Sequence, residues 1–288
     1  MRLHLVDGTF ELFRAHFSKR PPHAGPDGKD LKATVGLAEN LAALLRDPAE
    51  APTHVAVAFD NPIRSFRNDL LAGYKSDEGV APELLAQLDD AEDAARALGL
   101  VVWSMDRFEA DDALATAAAR WKADVEQVRI LTPDKDLGQC LEGTRVVQVD
   151  RIRNRLLDEA ALRERRGIGP ASVPDFLALV GDEADGIPGL EGFGERSAGL
   201  LLGVFPRLEE IPAEPRRWPG AIRGADRLAA TLAARREDAL LYRRLATLVL
   251  DVPLPETLED LRWRGVPKDR FEAWRERTGA RRVTPPGE

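Results

Sequence analysis

Three short apolar runs, LHLVDG, THVAVAFD and VRILTPDKD, are rich in strand-forming residues, and each closes on aspartate: Asp7, Asp60, and Asp134 with Asp136. Between them, LKATVGLAENLAALLRD and APELLAQLDDAEDAARALGL repeat their apolar residues at helical spacing. Strands apolar on both faces and alternating with helices predict an α/β fold with a mostly parallel sheet, because parallel strands need helical crossovers. Ligands of such sheets sit beyond the carboxyl ends of the strands, where these aspartates fall. An aspartate in that position also serves as an ordinary helix N-cap, so each one taken singly has a plain structural explanation. A fourth element, FEADDALATAAARW, reads as a helix beginning near Glu109. Glu109 and Asp112 share a helix face, with Asp111 at the same end, and three acids in four residues exceed what capping needs.

After about residue 165 the strand signals fade. ASVPDFLALVGDEADGIPGLEGFGERSAGLLLGVF reads as helix, Gly-rich turn, helix, and its centre, GDEADGIPGLEGFG, holds five glycines and four acids. Arg- and Ala-rich helical sequence continues from Trp218. The expected organisation is a sheet-bearing domain over 1–165, a helical domain over 166–275 and a flexible tail over 276–288 carrying Pro285, Pro286 and Gly287.

The chain has 288 residues, enough for one large or two modest domains. Its net charge of -8 is unevenly placed. Residues 1–150 hold 17 basic and 26 acidic side chains, whereas 151–288 hold 24 and 23. An acidic half is a poor partner for nucleic acid unless the acids have a purpose of their own. The single cysteine, Cys140, excludes an internal disulfide, and no apolar run approaches the length of a membrane span. MRLHLVDGTF lacks the apolar core of a signal peptide, so a cytoplasmic protein with no membrane partner is expected.

Nine acids fall at expected loops or helix ends: Asp7, Asp60, Glu109, Asp111, Asp112, Asp134, Asp136, Asp182 and Asp185. Close carboxylates cannot all stay ionised without cations. Hard divalent ions, Mg²⁺ or Mn²⁺, suit oxygen ligands and substrate phosphates, and two such ions activate water and stabilise the leaving oxygen in phosphodiester hydrolysis. Zinc is disfavoured because His4, His16, His23 and His54 form no spaced pair. In GIPGLEGFGERSAGLL, Gly189, Gly192 and Gly194 precede a helix opened near Glu195, Arg196 and Ser197, a pattern that lets backbone N–H groups approach a phosphate. The same pattern also occurs as a plain helix C-cap.

At these residues the sequence resembles the 5' nuclease family, which includes the 5'-3' exonuclease domain of bacterial DNA polymerase I, phage 5' nucleases and flap endonucleases. The matching segments are LVDG, FD followed by SFR and GYK, FEADD, ILTPDKDLGQ and GDEADGIPGLEGFGERSA, in the family's order and spanning residues 3 to about 205. With no polymerase portion following, a stand-alone bacterial-type member is expected. The resemblance implies a PIN-like α/β nuclease core followed by a helix-three-turn-helix DNA-binding region. It places Asp7, Asp60, Glu109, Asp111 and Asp112 in a first metal group and Asp134, Asp136, Asp182 and Asp185 in a second. It further implies that Lys75 contacts the scissile phosphate, that Arg67 borders the active site, that Tyr74 offers a ring for base stacking and that Arg14 lies near the metals. Lys135, Gly192, Phe193, Gly194, Glu195, Arg196 and Ser197 are the remaining implied DNA contacts. Main-chain carbonyls of Leu179, Val180, Pro188, Leu190 and Phe193 match positions that hold a potassium ion. Plainer readings are solvated charges for Lys75 and Arg67 and a partly buried ring for Tyr74.

Where the family has basic residues after GYK, this chain has Ser76, Asp77, Glu78 and Gly79, which predicts weaker DNA affinity or a narrower substrate range. The expected activity is a two-metal 5'-3' exonuclease and flap endonuclease, monomeric, acting on DNA with a free 5' end, a 5' flap or a branch, in DNA repair and replication. A catalytically weak junction-binding protein and a PIN-like ribonuclease are the alternatives.

Overall fold

The computed structural model describes residues 1–287. Among them the chain runs β1 (Arg2–Asp7), α1 (Gly8–His16), α2 (Lys32–Arg46), β2 (His54–Asp60), α3 (Pro82–Leu85), α4 (Leu88–Ala97), β3 (Val101–Met105), α5 (Ala110–Trp121) and β4 (Gln127–Leu131). It continues through β5 (Val146–Asp150), β6 (Arg155–Leu157), α6 (Glu159–Arg166), α7 (Val173–Val180), α8 (Glu195–Leu202), α9 (Ala225–Ala234), α10 (Arg236–Ala246) and α11 (Lys268–Thr278).

Two compact units emerge, and both are discontinuous in sequence. The first comprises Met1–Ser65, Asp77–Thr132 and the chain from Val249 onward, the second Phe66–Ser76 and Pro133–Leu248. The expected boundary near 165 therefore does not coincide with the division by compactness, because the segment after Pro133 packs with the helical unit and the chain beyond Leu248 returns to the first.

The first unit is a parallel sheet ordered β3-β2-β1-β4, with Leu5 opposite both Ala56 and Ile130, and Val57 opposite Val102. Every residue of β2 is buried, as expected of a central strand covered by helices on both faces. The returning chain is tied to α5: Val252 N–H donates to Thr116 Oγ1 at 3.2 Å, and Arg120 donates to the Leu254 carbonyl at 3.0 Å. The expected flexible tail is instead packed through most of its length. Ala280 and Val283 are buried, and Arg46 donates to the carbonyl of Thr284; Glu288 lies outside the described residues. Beside the sheet, Glu50 accepts from His4 Nε2 at 2.9 Å and from Arg129 Nη2 at 2.9 Å.

The second unit holds the antiparallel pair β5-β6 and helices α6 to α10 around a core that includes Phe176, Leu177, Leu201, Tyr242 and Leu245. No helix among the described residues is long and apolar enough to cross a membrane.

Candidate active site

The first unit gathers its acids at the carboxyl edge of the sheet. Asp7 ends β1 and Asp60 ends β2, while Glu109 is the N-cap of α5, the helix that follows β3. Asp7, Asp60, Glu109, Asp111 and Asp112 are all buried. Their placement follows from local chemistry. Asp7 caps α1 by accepting the Phe10 N–H at 2.8 Å, and its other oxygen accepts from Thr132 Oγ1 at 2.9 Å. Asp60 accepts the Ala110 N–H at 2.7 Å, and its own N–H donates to Thr9 Oγ1 at 2.7 Å. Glu109 accepts from Ser65 Oγ at 2.6 Å. Ser65 and Thr132 thus orient two of the carboxylates and Thr9 anchors the backbone of a third acid, and the sequence reading missed all three. The available signal was a hydroxyl residue next to a strand end, which is too common to single out.

Asp112, the fifth acid expected in the first metal group, carries backbone bonds on both of its oxygens. It is fully buried, with Oδ2 accepting the Glu109 N–H at 3.0 Å and Oδ1 accepting the Val249 N–H at 2.9 Å. Both oxygens satisfy backbone donors, so the residue fastens the head of α5 to the returning chain. Asp111, one position earlier and turned about 100° around the helix, carries neither of these two bonds.

In the second unit, Asp134 and Asp136 lie in the loop and short turn after β4, with the Asp136 N–H donating to Asp134 Oδ1 at 3.3 Å. Lys135, between them, forms an ion pair with Asp182 at 3.1 Å and so ties the DKD turn to the GDEAD turn. Asp136, Asp182 and Asp185 are buried. The Asp185 carbonyl accepts the Lys75 N–H at 3.0 Å, which fixes the backbone of GYK against GDEAD, and Lys75 is half-buried. That approach needs glycine: Gly186 has a φ of +70°, and a Cβ there would lie 2.2 Å from the Gly73 carbonyl.

Two of the implied substrate contacts occupy other roles. Arg67 is only 1% exposed, its guanidinium donating to the carbonyls of Leu245 at 2.8 Å and Thr247 at 3.1 Å and lying 4.7 Å from the Phe66 ring centre. It holds the SFR segment to the end of α10 and does not offer an exposed charge. Tyr74, 4% exposed, belongs to the hydrophobic core of the second unit, so its face is not available for base stacking. Arg14 is paired with Glu11 at 3.0 Å.

In the Gly-rich turn, the Leu179 carbonyl accepts from Leu190 N–H at 2.8 Å and the Leu190 carbonyl from Phe193 N–H at 3.1 Å. Val180 and Pro188 line the same stretch. The Phe193 side chain is buried, which leaves only its main chain to face a ligand. Gly192 has a φ of +87°. Gly194 caps α8, exchanging hydrogen bonds at 3.0 Å with Ser197, and Glu195 and Arg196 are exposed in its first turn.

An acid-edged parallel α/β unit and a helical unit built around a Gly-rich turn define the class of the protein. The chain belongs to the 5'-3' exonuclease family. Residues 2–167 match the 5'-3' exonuclease N-terminal resolvase-like domain, and 168–269 match the 5'-3' exonuclease C-terminal SAM fold. DNA polymerase I of Pseudomonas aeruginosa is 38% identical over 260 residues, covering 89% of this chain and 28% of that protein. DNA polymerase I of Bacillus caldotenax is 31% identical over 278 residues, covering 94% of this chain and 31% of that protein. The chain thus spans less than a third of these relatives. Among solved structures, the bacteriophage T5 D15 flap endonuclease with DNA and metal ions matches at a TM-score of 0.66 and 19% identity over 98% of this chain and 99% of that one. Human GEN1 with Holliday junction DNA matches at 0.63 and 14%, over 96% of this chain and 67% of that one. These two likenesses establish the fold.

Proposed function

We propose that the chain hydrolyses DNA phosphodiesters at a free 5' end or 5' flap, using two Mg²⁺ or Mn²⁺ ions. The observation that carries this reading is the set of buried carboxylates at the ends of β1 and β2 and the head of α5, in a chain of the 5'-3' exonuclease family. The donor set fits hard cations: it is all oxygen, with hydroxyls of Ser65 and Thr132 orienting Glu109 and Asp7 and no histidine or cysteine bonded to it in the contacts above.

Asp7, Asp60, Glu109 and Asp111 would hold the first ion, and Asp134, Asp136, Asp182 and Asp185 the second. When bound, these ions supply an activated water and stabilise the leaving 3'-oxygen. Asp112 positions α5 through its two backbone bonds. Lys75 supplies a positive charge to the phosphate, with its backbone fixed by Asp185. The turn from Gly192 to Ser197, with Arg196 and Lys135 as cations, grips the DNA backbone without reading sequence. The carbonyls of Val180, Pro188 and Phe193, with Leu179 and Leu190, are the candidate ligands of a potassium ion there. The working form is a cytoplasmic monomer.

The test is cleavage of a labelled 5'-flap duplex and a matched RNA strand with Mg²⁺, with Mn²⁺ and with EDTA. Metal-dependent DNA cutting near the flap junction is expected. Binding without cutting in either metal would replace this reading with a junction-binding protein, and preferential cutting of RNA would replace the substrate.

A further inference from the structure

Within the second unit the backbone around Lys75 is held from both sides. The carbonyls of Tyr74 and Lys75 accept from Asn68 Nδ2 at 3.2 and 2.8 Å, and the Lys75 N–H donates to the Asp185 carbonyl at 3.0 Å. These polar groups belong to the pair of peptide planes that meet at the Lys75 Cα. A peptide plane is rigid, so fixing both planes fixes φ and ψ of Lys75, and with them the direction in which its side chain leaves the backbone. The orientation of the Asn68 amide follows from its partners, since both are carbonyl oxygens and only the amide nitrogen can donate to them.

Closing the loop from Asn68 to Lys75 does not need this side chain. Tyr74 is buried in the core of the unit, its N–H donates to the Leu71 carbonyl at 3.0 Å, and the Leu71 N–H donates to the Arg67 carbonyl at 3.1 Å. What those anchors leave open is rotation at Lys75 itself, and the half-buried Asn68 removes it. A lysine carries its charge on a flexible four-carbon stem, so a turn at the root becomes a larger displacement at Nζ. A misplacement of about 1 Å at a group that meets a reacting phosphate costs on the order of a hundredfold in rate.

We propose that Asn68 is a positioning residue for Lys75: its carboxamide fixes the backbone of the lysine so that the ammonium group is aimed at the scissile phosphate. The proposal rests on the reading of Lys75 given above and adds to it the residue that sets the lysine in place. Asn68 acts through Lys75, so its effect on chemistry vanishes when the ammonium is removed.

The test is a double-mutant cycle on the full chain. Its readouts are single-turnover cleavage of a labelled 5'-flap duplex with Mg²⁺, affinity for the same duplex in EDTA, and hydrogen exchange of the Lys75 amide. Asn68→Ala is expected to lower the cleavage rate about ten- to a hundredfold, to leave affinity within about twofold, and to speed exchange of the Lys75 amide. In a Lys75→Ala background the same substitution should change the rate by less than about twofold. Asn68→Ser, whose hydroxyl donates to one carbonyl in place of two, should fall between wild type and Asn68→Ala, and it decides the matter if thermal unfolding shows Asn68→Ala to be unfolded. A wild-type rate in the Asn68 variants, or an equal loss with and without Lys75, would make Asn68 a plain loop brace and overturn the proposal while leaving the nuclease reading intact. A wild-type rate in Lys75→Ala would overturn the role of Lys75 and the proposal with it. Wild type that does not cut DNA would overturn the nuclease reading as well.

Discussion

The Asp60 carboxylate accepts the Ala110 N–H at 2.7 Å, so the acid that ends β2 is also a brace for the first residue of α5. One side chain therefore serves geometry and charge together, and the two can be separated. In Asp60→Asn the amide oxygen can still accept that N–H, so the unfolding temperature should change by only a few degrees. Loss of the charge should weaken Mn²⁺ binding by at least about tenfold in calorimetry and lower cleavage by on the order of a thousandfold. Unchanged Mn²⁺ affinity would remove Asp60 from the metal group.

Asp111 and Asp112 differ by one position and should differ in phenotype. Removing Asp112 takes the acceptor from the buried N–H of Glu109 and the half-buried N–H of Val249, so Asp112→Ala should lower the unfolding free energy by about 3 kcal/mol. Asp111→Ala should abolish cleavage with a much smaller effect on stability. Denaturant unfolding of both variants checks the contrast, and equal destabilisation would show that Asp111 too is structural.

The same pair shows how far the sequence reaches. Strand ends carrying Asp7 and Asp60 were legible because a short β-rich run followed by an acid is a local signal, and the parallel sheet follows from alternation with helices. Which neighbouring acid on α5 supports the backbone depends on Val249, more than 130 positions away, and no local pattern encodes it. The surroundings of Arg67 and Tyr74 are set by distant residues in the same way. Their types suggest exposed contacts with a substrate, whereas the carbonyls of Leu245 and Thr247 and the core of the helical unit take them up. The discontinuous units were likewise hidden, since the return of the chain at Val249 is specified by packing alone.

Arg67 and Lys75 come from adjacent family motifs and should separate cleanly. Arg67→Ala removes a buried guanidinium bonded to two carbonyls, and a loss of about 3 kcal/mol in stability is expected, with activity falling only as the folded fraction falls. Lys75→Ala should melt like wild type yet lower the single-turnover cleavage rate far more than DNA affinity. An equal loss of rate and affinity would make Lys75 a binding contact, and a fully stable Arg67→Ala with impaired chemistry would restore Arg67 to the site.

The Glu50 network predicts a one-sided loss of stability in acid. Hydrogen bonding from His4, then from Arg129, holds the Glu50 carboxyl at about 2, below its ordinary 4.5. Its contribution is therefore fully present above about 4.5 and is lost as pH falls toward 2. Burial pushes His4 below its ordinary 6.5, against the opposing hydrogen bond and charge of Glu50, so the folded state holds it neutral. The unfolded chain binds that proton more readily, and stability should begin to fall once pH drops below 6.5. The two groups act in the same direction, so denaturant midpoints should fall in two stages, first from His4 and then, below about 4.5, with Glu50 added. Glu50→Gln should be less stable than wild type near neutrality, because Arg129 loses its charged partner, and should lack the lower stage. A Glu50→Gln profile parallel to wild type below pH 4.5 would mean that other carboxylates govern acid unfolding.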